Sequence, residues 1–236
     1  MHRTAAEKGN LEILVWTLSR VPELERDLKY LFLDACQAGA LDLIKYLAKR
    51  YGERCGSLAD GFVGCKTTKK VLEYFLFGLR VDVNHFCKGF TALYFAATVG
   101  DEETAKFLIA QGAHPDLEMK GGGTAFWVAC SNGHLGVAKL LLANGARWDV
   151  KKERISAFCE SCRQGRLDVV VFFLDVLKVD VNEMNAGRSP LLYAMEEQQE
   201  EVVDFLRKRG GEEKEDHNPY FEIALGLEKL KEEEFE

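Results

Sequence analysis

Few residues in this chain have the types and spacing that could do chemistry. Cys159 and Cys162 form a C-x-x-C, the spacing of a zinc half-site or a redox pair, but no second pair and no His-x-x-x-His accompanies them. The five histidines, at 2, 85, 114, 134 and 217, are scattered along the chain. Gly121-Gly122-Gly123 lacks the Lys-Ser/Thr that completes a phosphate loop, and no nucleophile, base and orienting acid recur at linked positions. The chain therefore reads as having no catalytic residue, no metal ligand and no cofactor. A metal- or redox-active Cys159/Cys162 pair stays open as the alternative.

The elements that would position these residues explain the cysteines differently. From Gly121 to Asp149 the chain reads as a glycine turn, a short apolar segment ending at Ala129-Cys130, a break at Gly133, and a second apolar run through Leu140-Leu141-Leu142 that stops at Gly145. Two helices this short cannot bury both their faces, so such a unit makes physical sense only between similar neighbours. The small pair Ala129-Cys130 has counterparts at Ala5-Ala6, Ala35-Cys36, Val63-Gly64, Ala96-Ala97, Ser161-Cys162 and Ala194-Met195, in steps of 30, 28, 33, 33, 32 and 33 residues. Cys162 thus shares a slot with Cys36 and Cys130, where helices approach closely and a small apolar residue is wanted.

Several motifs recur at this period. Thr91-Ala92-Leu93-Tyr94-Phe95-Ala96-Ala97, Thr124-Ala125-Phe126-Trp127-Val128-Ala129-Cys130 and Ser189-Pro190-Leu191-Leu192-Tyr193-Ala194-Met195 resemble the Thr-Pro-Leu-His-x-Ala-Ala signature of ankyrin repeats. Gly112-Ala113-His114-Pro115-Asp116 and Gly145-Ala146-Arg147-Trp148-Asp149 resemble the family's Gly-Ala-Asp linker, and Val81-Asp82-Val83-Asn84 and Val179-Asp180-Val181-Asn182 its Asp-Val-Asn ending. The signature histidine is missing: its slot holds Tyr94, Trp127, Cys159 or Leu192. The resemblance implies an all-α, ankyrin-type solenoid of stacked helix-turn-helix repeats joined by short β-hairpin-like turns. It implies one domain over residues 1–236, with units at 1–29, 30–57, 58–85, 86–118, 119–150, 151–183 and 184–211 and an acidic half-repeat or capping helix over 212–236.

Within that frame the N-terminal third is irregular, and Leu58 to Cys65 reads as a poor helix because Gly61 and Gly64 each cost about 1 kcal/mol relative to alanine. From Asp82 onward the joints should fold as projecting turns, with glycine supplying positive φ and Thr or Ser capping the next helix. Asn218-Pro219 reads as the start of the closing helix.

Charge is uneven: residues 212–236 hold 10 Asp or Glu and 3 Lys, whereas residues 1–211 hold 28 acidic and 28 basic residues. That balance argues against a general affinity for nucleic acid, for which Lys66, Lys69, Lys70 and the turn lysines are the residues to consider. No run of 18 apolar residues spans a membrane, and seven cysteines without a disulfide-like framework fit a reducing compartment, cytoplasmic or nuclear.

The resemblance implies function at positions the scaffold does not need, the turn tips and the inner-helix ends. These nominate Lys88, Phe90, Val99, Lys120, Asn132, Lys152, Arg154, Ile155, Arg163 and Arg188 as a concave face that binds a protein partner, weighted to the C-terminal repeats. Phe90 and Ile155 read as apolar anchors and the cations as a basic stripe. The expected partner is an acidic segment with apolar anchors, and the expected protein is a monomeric scaffold, adaptor or steric inhibitor with no nucleic-acid or membrane partner.

Overall fold

In the computed structural model, the structure describes residues 28–52, 57–64, 69–120, 122–149 and 155–215. The expected first unit up to residue 27 and the expected closing helix at 218–231 lie outside the described residues, as does Trp16, which the sequence places in the core. Among the described residues there are six helix pairs. They run α1 Leu28–Ala38 and α2 Leu41–Tyr51, α3 Leu58–Gly64 and α4 Lys69–Glu73, then α5 Ala92–Val99 and α6 Glu102–Ala110. They continue as α7 Ala125–Ser131 and α8 Leu135–Ala143, α9 Ala157–Arg163 and α10 Leu167–Asp175, α11 Pro190–Glu196 and α12 Glu200–Lys208. The chain falls into two compact units, one within Met1–Ala97 and Asp101–Gly121, the other within Thr98–Gly100 and Gly122–Glu236.

In the first unit the amphipathic spacing does the folding. Helix α2 buries Leu43, Ile44, Leu47 and Ala48, one stripe of a 3.6-residue period, while Asp42, Lys49 and Arg50 stay on the other side. The core is aromatic, with Phe75 edge-on to Phe32 at 6.3 Å and tilted on Phe62 at 5.9 Å. The segment read as a poor helix is a helix, and packing explains its glycine. A Cβ on Gly61 would stand 2.7 Å from Phe32 Cε1 and 2.8 Å from Cys36 Sγ, so α3 can approach α1 this closely only without a side chain there. Helix α4 runs on into a π-helical turn at Tyr74–Gly78, with Phe75 buried and Phe77 exposed.

The second unit is built round Phe173, whose ring meets Phe126, Phe158, Phe172 and Trp148 with centroids 5.4–6.5 Å apart. The small-pair slots Ala129, Cys130, Ser161, Cys162 and Ala194 are 0 % exposed, which is why they are small.

Local chemistry repeats with the helices. Thr91, Thr124, Ser156 and Ser189 each accept the backbone N–H three residues on, at 3.2–3.4 Å, the helix caps the sequence predicts. These N–H groups belong to the slot that lost its histidine, Tyr94, Trp127, Cys159 and Leu192, so the caps form without it. The Asp-Val-Asn ending has a specific role in both places it occurs. Asp82 and Asp180 accept from the Asn84 and Asn182 amides, and each asparagine then bridges to the next linker, its Nδ2 on the Gly112 or Gly210 carbonyl and its Oδ1 on the N–H of His114 or Glu212. Turns at Cys87-Lys88-Gly89-Phe90 and Asn185-Ala186-Gly187-Arg188 close as antiparallel bridges with positive φ at both central residues, the hairpin geometry of a type I′ turn.

Positive φ also recurs after each outer helix, at Gly52, Arg80, Gly112, Gly145, Lys178 and Gly210, so two repeats hold a charged residue where the others have glycine. Replacing Lys178 by glycine should therefore raise stability by about 1 kcal/mol. Gly61→Ala, which helix propensity alone would favour, should lower it by about 1–3 kcal/mol through overpacking. Equilibrium urea unfolding of the two variants measures both signs.

Candidate partner-binding face

In the first unit, the Cys87–Phe90 turn projects Lys88, which is exposed at a φ of 52°. Phe90 is half-buried, its ring 5.2 Å from Tyr94 and 5.7 Å from Phe95. Phe86, on the incoming arm, is 43 % exposed, and Phe95, on α5, is 40 % exposed. Lys120 is exposed, and its backbone N–H donates to the Gly89 carbonyl at 3.2 Å, which seats it beside the turn. Below the turn, His85 Nε2 lies 3.4 Å from Asp60 Oδ1. Burial and then the Asp60 carboxylate push the Cys87 thiol up from its ordinary value.

Val99 ends α5 and is 67 % exposed. Asn132 has a structural task instead: its Nδ2 donates to the Thr98 carbonyl at 2.9 Å, beside a His134 ring nitrogen 3.1 Å from the same oxygen. Ile155 is half-buried, and its carbonyl accepts the Trp127 indole N–H at 2.8 Å. Its backbone thus anchors a neighbouring repeat, while its side chain stays partly exposed. Lys152 and Arg154 lie outside the described residues.

The remaining cations of the expected stripe are already paired. Arg163 donates through Nε and Nη2 to both oxygens of Glu160, at 3.0 and 2.9 Å, and its Nη1 lies 3.6 Å from Glu197. Glu160 is 2 % exposed and also accepts from Gln164 at 3.0 Å and from Ser131 Oγ at 3.4 Å. Its hydrogen bonds hold the Arg163 guanidinium above the ordinary arginine value, against the desolvation that lowers it. Arg188 is taken in the same way, by Glu196 at 2.7 Å and Glu215 at 3.2 Å. Buried Tyr193, whose hydroxyl is pushed up by burial, donates to the Asn185 carbonyl and ties α11 to its own turn.

The sequence reading missed Glu160, Phe86 and Phe95. The signal for Glu160 lay in the period, which puts a carboxylate in the slot of Phe95, Val128 and Tyr193. Cys159 and Cys162 are both fully buried, and burial followed by the neighbouring sulfur raises the Cys162 thiol, opposite to what a thiolate ligand or nucleophile needs. Lys69, weighed for nucleic acid, has its ammonium 5.8 Å from the Phe107 ring centre.

A family model described as ankyrin repeats, in three copies, matches residues 1–152, well over half of the 236 residues. The chain belongs to the ankyrin-repeat family. Ankyrin repeats are generally protein–protein interaction modules and are typically non-enzymatic. Beyond residue 152 the structure continues the ankyrin pattern with two further helix pairs carrying the same caps and turn geometry. No curated protein matches the chain. Among the described residues no helix is long and apolar enough to cross a membrane.

The Glu160–Arg163 pair gives a test of scaffold against surface. Arg163→Ala leaves a buried carboxylate short of its cation and should cost about 3 kcal/mol, whereas Glu160→Val with Arg163→Leu should fall within about 1 kcal/mol of the parent chain or above it. Thermal and urea unfolding of the two variants, compared at one pH, reads the difference.

Proposed function

We propose that this chain is a non-enzymatic protein-binding module, a scaffold, adaptor or steric inhibitor, that holds its partner on turn tips and inner-helix ends. The observation that carries this reading is the exposure of Phe86 and Phe95 in the first unit and, separately, of Val99 in the second. Each stands at a place the helix pairs do not need for packing, and large apolar side chains kept in water at such places are characteristic of contact surfaces. The partner chemistry that fits is an acidic segment carrying apolar side chains, because the exposed cations nearest these aromatics, Lys88 and Lys120, are lysines on or beside a turn. A reducing compartment, cytoplasm or nucleus, suits the buried thiols Cys36, Cys130, Cys159 and Cys162, which form no disulfide. In the C-terminal repeats Arg163 and Arg188 serve neighbouring carboxylates, so attraction of an acidic partner there rests on Lys152 and Arg154.

Proximity labelling in cells, comparing the parent chain with a Phe86→Ser/Phe95→Ser/Val99→Ser variant of equal abundance, tests the proposal. A discrete set of labelled proteins should disappear with the variant. Identical sets from both chains would rule out these residues as the contact surface.

A further inference from the structure

The polar pattern of the first unit goes further than the presence of a contact surface, because the cations of its Cys87–Phe90 turn are uncommitted. Lys88 and Lys120 are exposed, and among the described residues neither has a carboxylate partner. In the second unit, by contrast, Arg163 and Arg188 are each shared between two glutamates. Lys88 is a central residue of the Cys87–Phe90 turn, and Lys120 is fixed to that turn by its backbone bond to Gly89. The only acid of the described neighbourhood that faces Cys87 is Asp60, and His85 lies against it. On the same turn and the adjoining α5 stand Phe86, Phe90 and Phe95, the first and last exposed and Phe90 with its ring tilted on Tyr94 and edge-on to Phe95. A ring already held by two neighbours presents its free face at little entropic cost when a ligand packs on it.

We propose that the Phe86–Phe90 turn and the adjoining Phe95 face of α5 form a docking site for an extended acidic segment that carries one aromatic or large aliphatic side chain. The proposal rests on the reading of the chain as a protein-binding module and specifies where and with what chemistry it binds. The apolar side chain packs on Phe90 and Phe95, and carboxylates beside it meet Lys88 and Lys120. Because the lysines are solvated and mobile, they contribute mostly to association rate and to specificity, and the aromatics to residence time. The site discriminates against basic segments by like charge.

Selection of random 12-residue peptides displayed on phage against the full chain, followed by fluorescence titration of synthetic copies of the winners, tests this. Enriched peptides should combine several Asp or Glu with one Phe, Trp or Leu. Phe90→Ala/Phe95→Ala should weaken them at least tenfold, Lys88→Glu/Lys120→Glu should slow association and flatten the salt dependence, and Arg163→Gln should leave binding within twofold. Winners that lack acidic residues, or that bind the Phe90→Ala/Phe95→Ala variant as tightly as the parent, would overturn the proposal while leaving the protein-binding reading standing. Failure to enrich any sequence would count against both. Concentration-dependent self-association of the full chain that is lost with Phe95→Ala, measured by sedimentation, would show that the face is covered by a second copy and would also overturn it.

Discussion

A pair of helices seven to eleven residues long has no partner for its apolar faces except another such pair, and this chain is organised by that dependence. The contact that enforces it is local and polar as well as apolar. At Asn84 and again at Asn182, one side-chain amide satisfies both a carbonyl and an N–H of the following linker, so neighbouring repeats share a hydrogen-bond register as well as a core. The small-pair slots complete the arrangement: Ala129, Cys130, Ser161, Cys162 and Ala194 are fully buried because only a short side chain lets inner helices come so close. The C-x-x-C at 159–162 is a product of that requirement.

Once register is fixed by caps, clamps and small residues, the turn tips and inner-helix ends are released from scaffold duty, and the two units use the freedom differently. In the second unit a carboxylate has entered an inner-helix slot at Glu160, and Arg163, Gln164 and Ser131 are recruited to satisfy it, leaving no buried side-chain polar atom without a partner among the described residues. Its arginines are thereby internal ties. In the first unit the corresponding slot holds buried Asp34 on α1 and exposed Phe95 on α5, and the turn lysines Lys88 and Lys120 have no carboxylate partner among the described residues. The same position in the repeat thus carries structure in one place and exposed contact area in the other.

Much of the fold was legible because it depends on periodic local signals: Thr and Ser caps, left-handed glycines and small pairs at a step near 33 residues. What the sequence hid depends on which atoms meet. Gly61 reads as a helix defect until the approach of Phe32 and Cys36 shows it to be a requirement. Lys178 and Arg80 show no turn chemistry by type, yet they occupy the left-handed position of Gly112 and Gly145 because the register leaves no alternative. Among the nominated binding residues, type and position placed Lys88, Phe90, Val99 and Lys120 on exposed or partly exposed turns and helix ends. Arg163, Arg188 and Asn132 read as surface by type, but Arg163 turns back to Glu160 on its own helix, Arg188 reaches Glu196 of the helix that follows its turn, and Asn132 reaches the Thr98 carbonyl of the preceding repeat.

The central claim is that the exposed apolar residues belong to recognition and the buried ones to the fold. Urea unfolding of the Phe86→Ser/Phe95→Ser/Val99→Ser chain beside the single Phe126→Ala chain tests it most directly, since burying a phenylalanine as completely as Phe126 is worth about 3–5 kcal/mol. The account predicts that three surface changes together cost less than the one core change. A triple variant that loses as much stability as Phe126→Ala would show that these side chains hold the repeats together, and would contradict it.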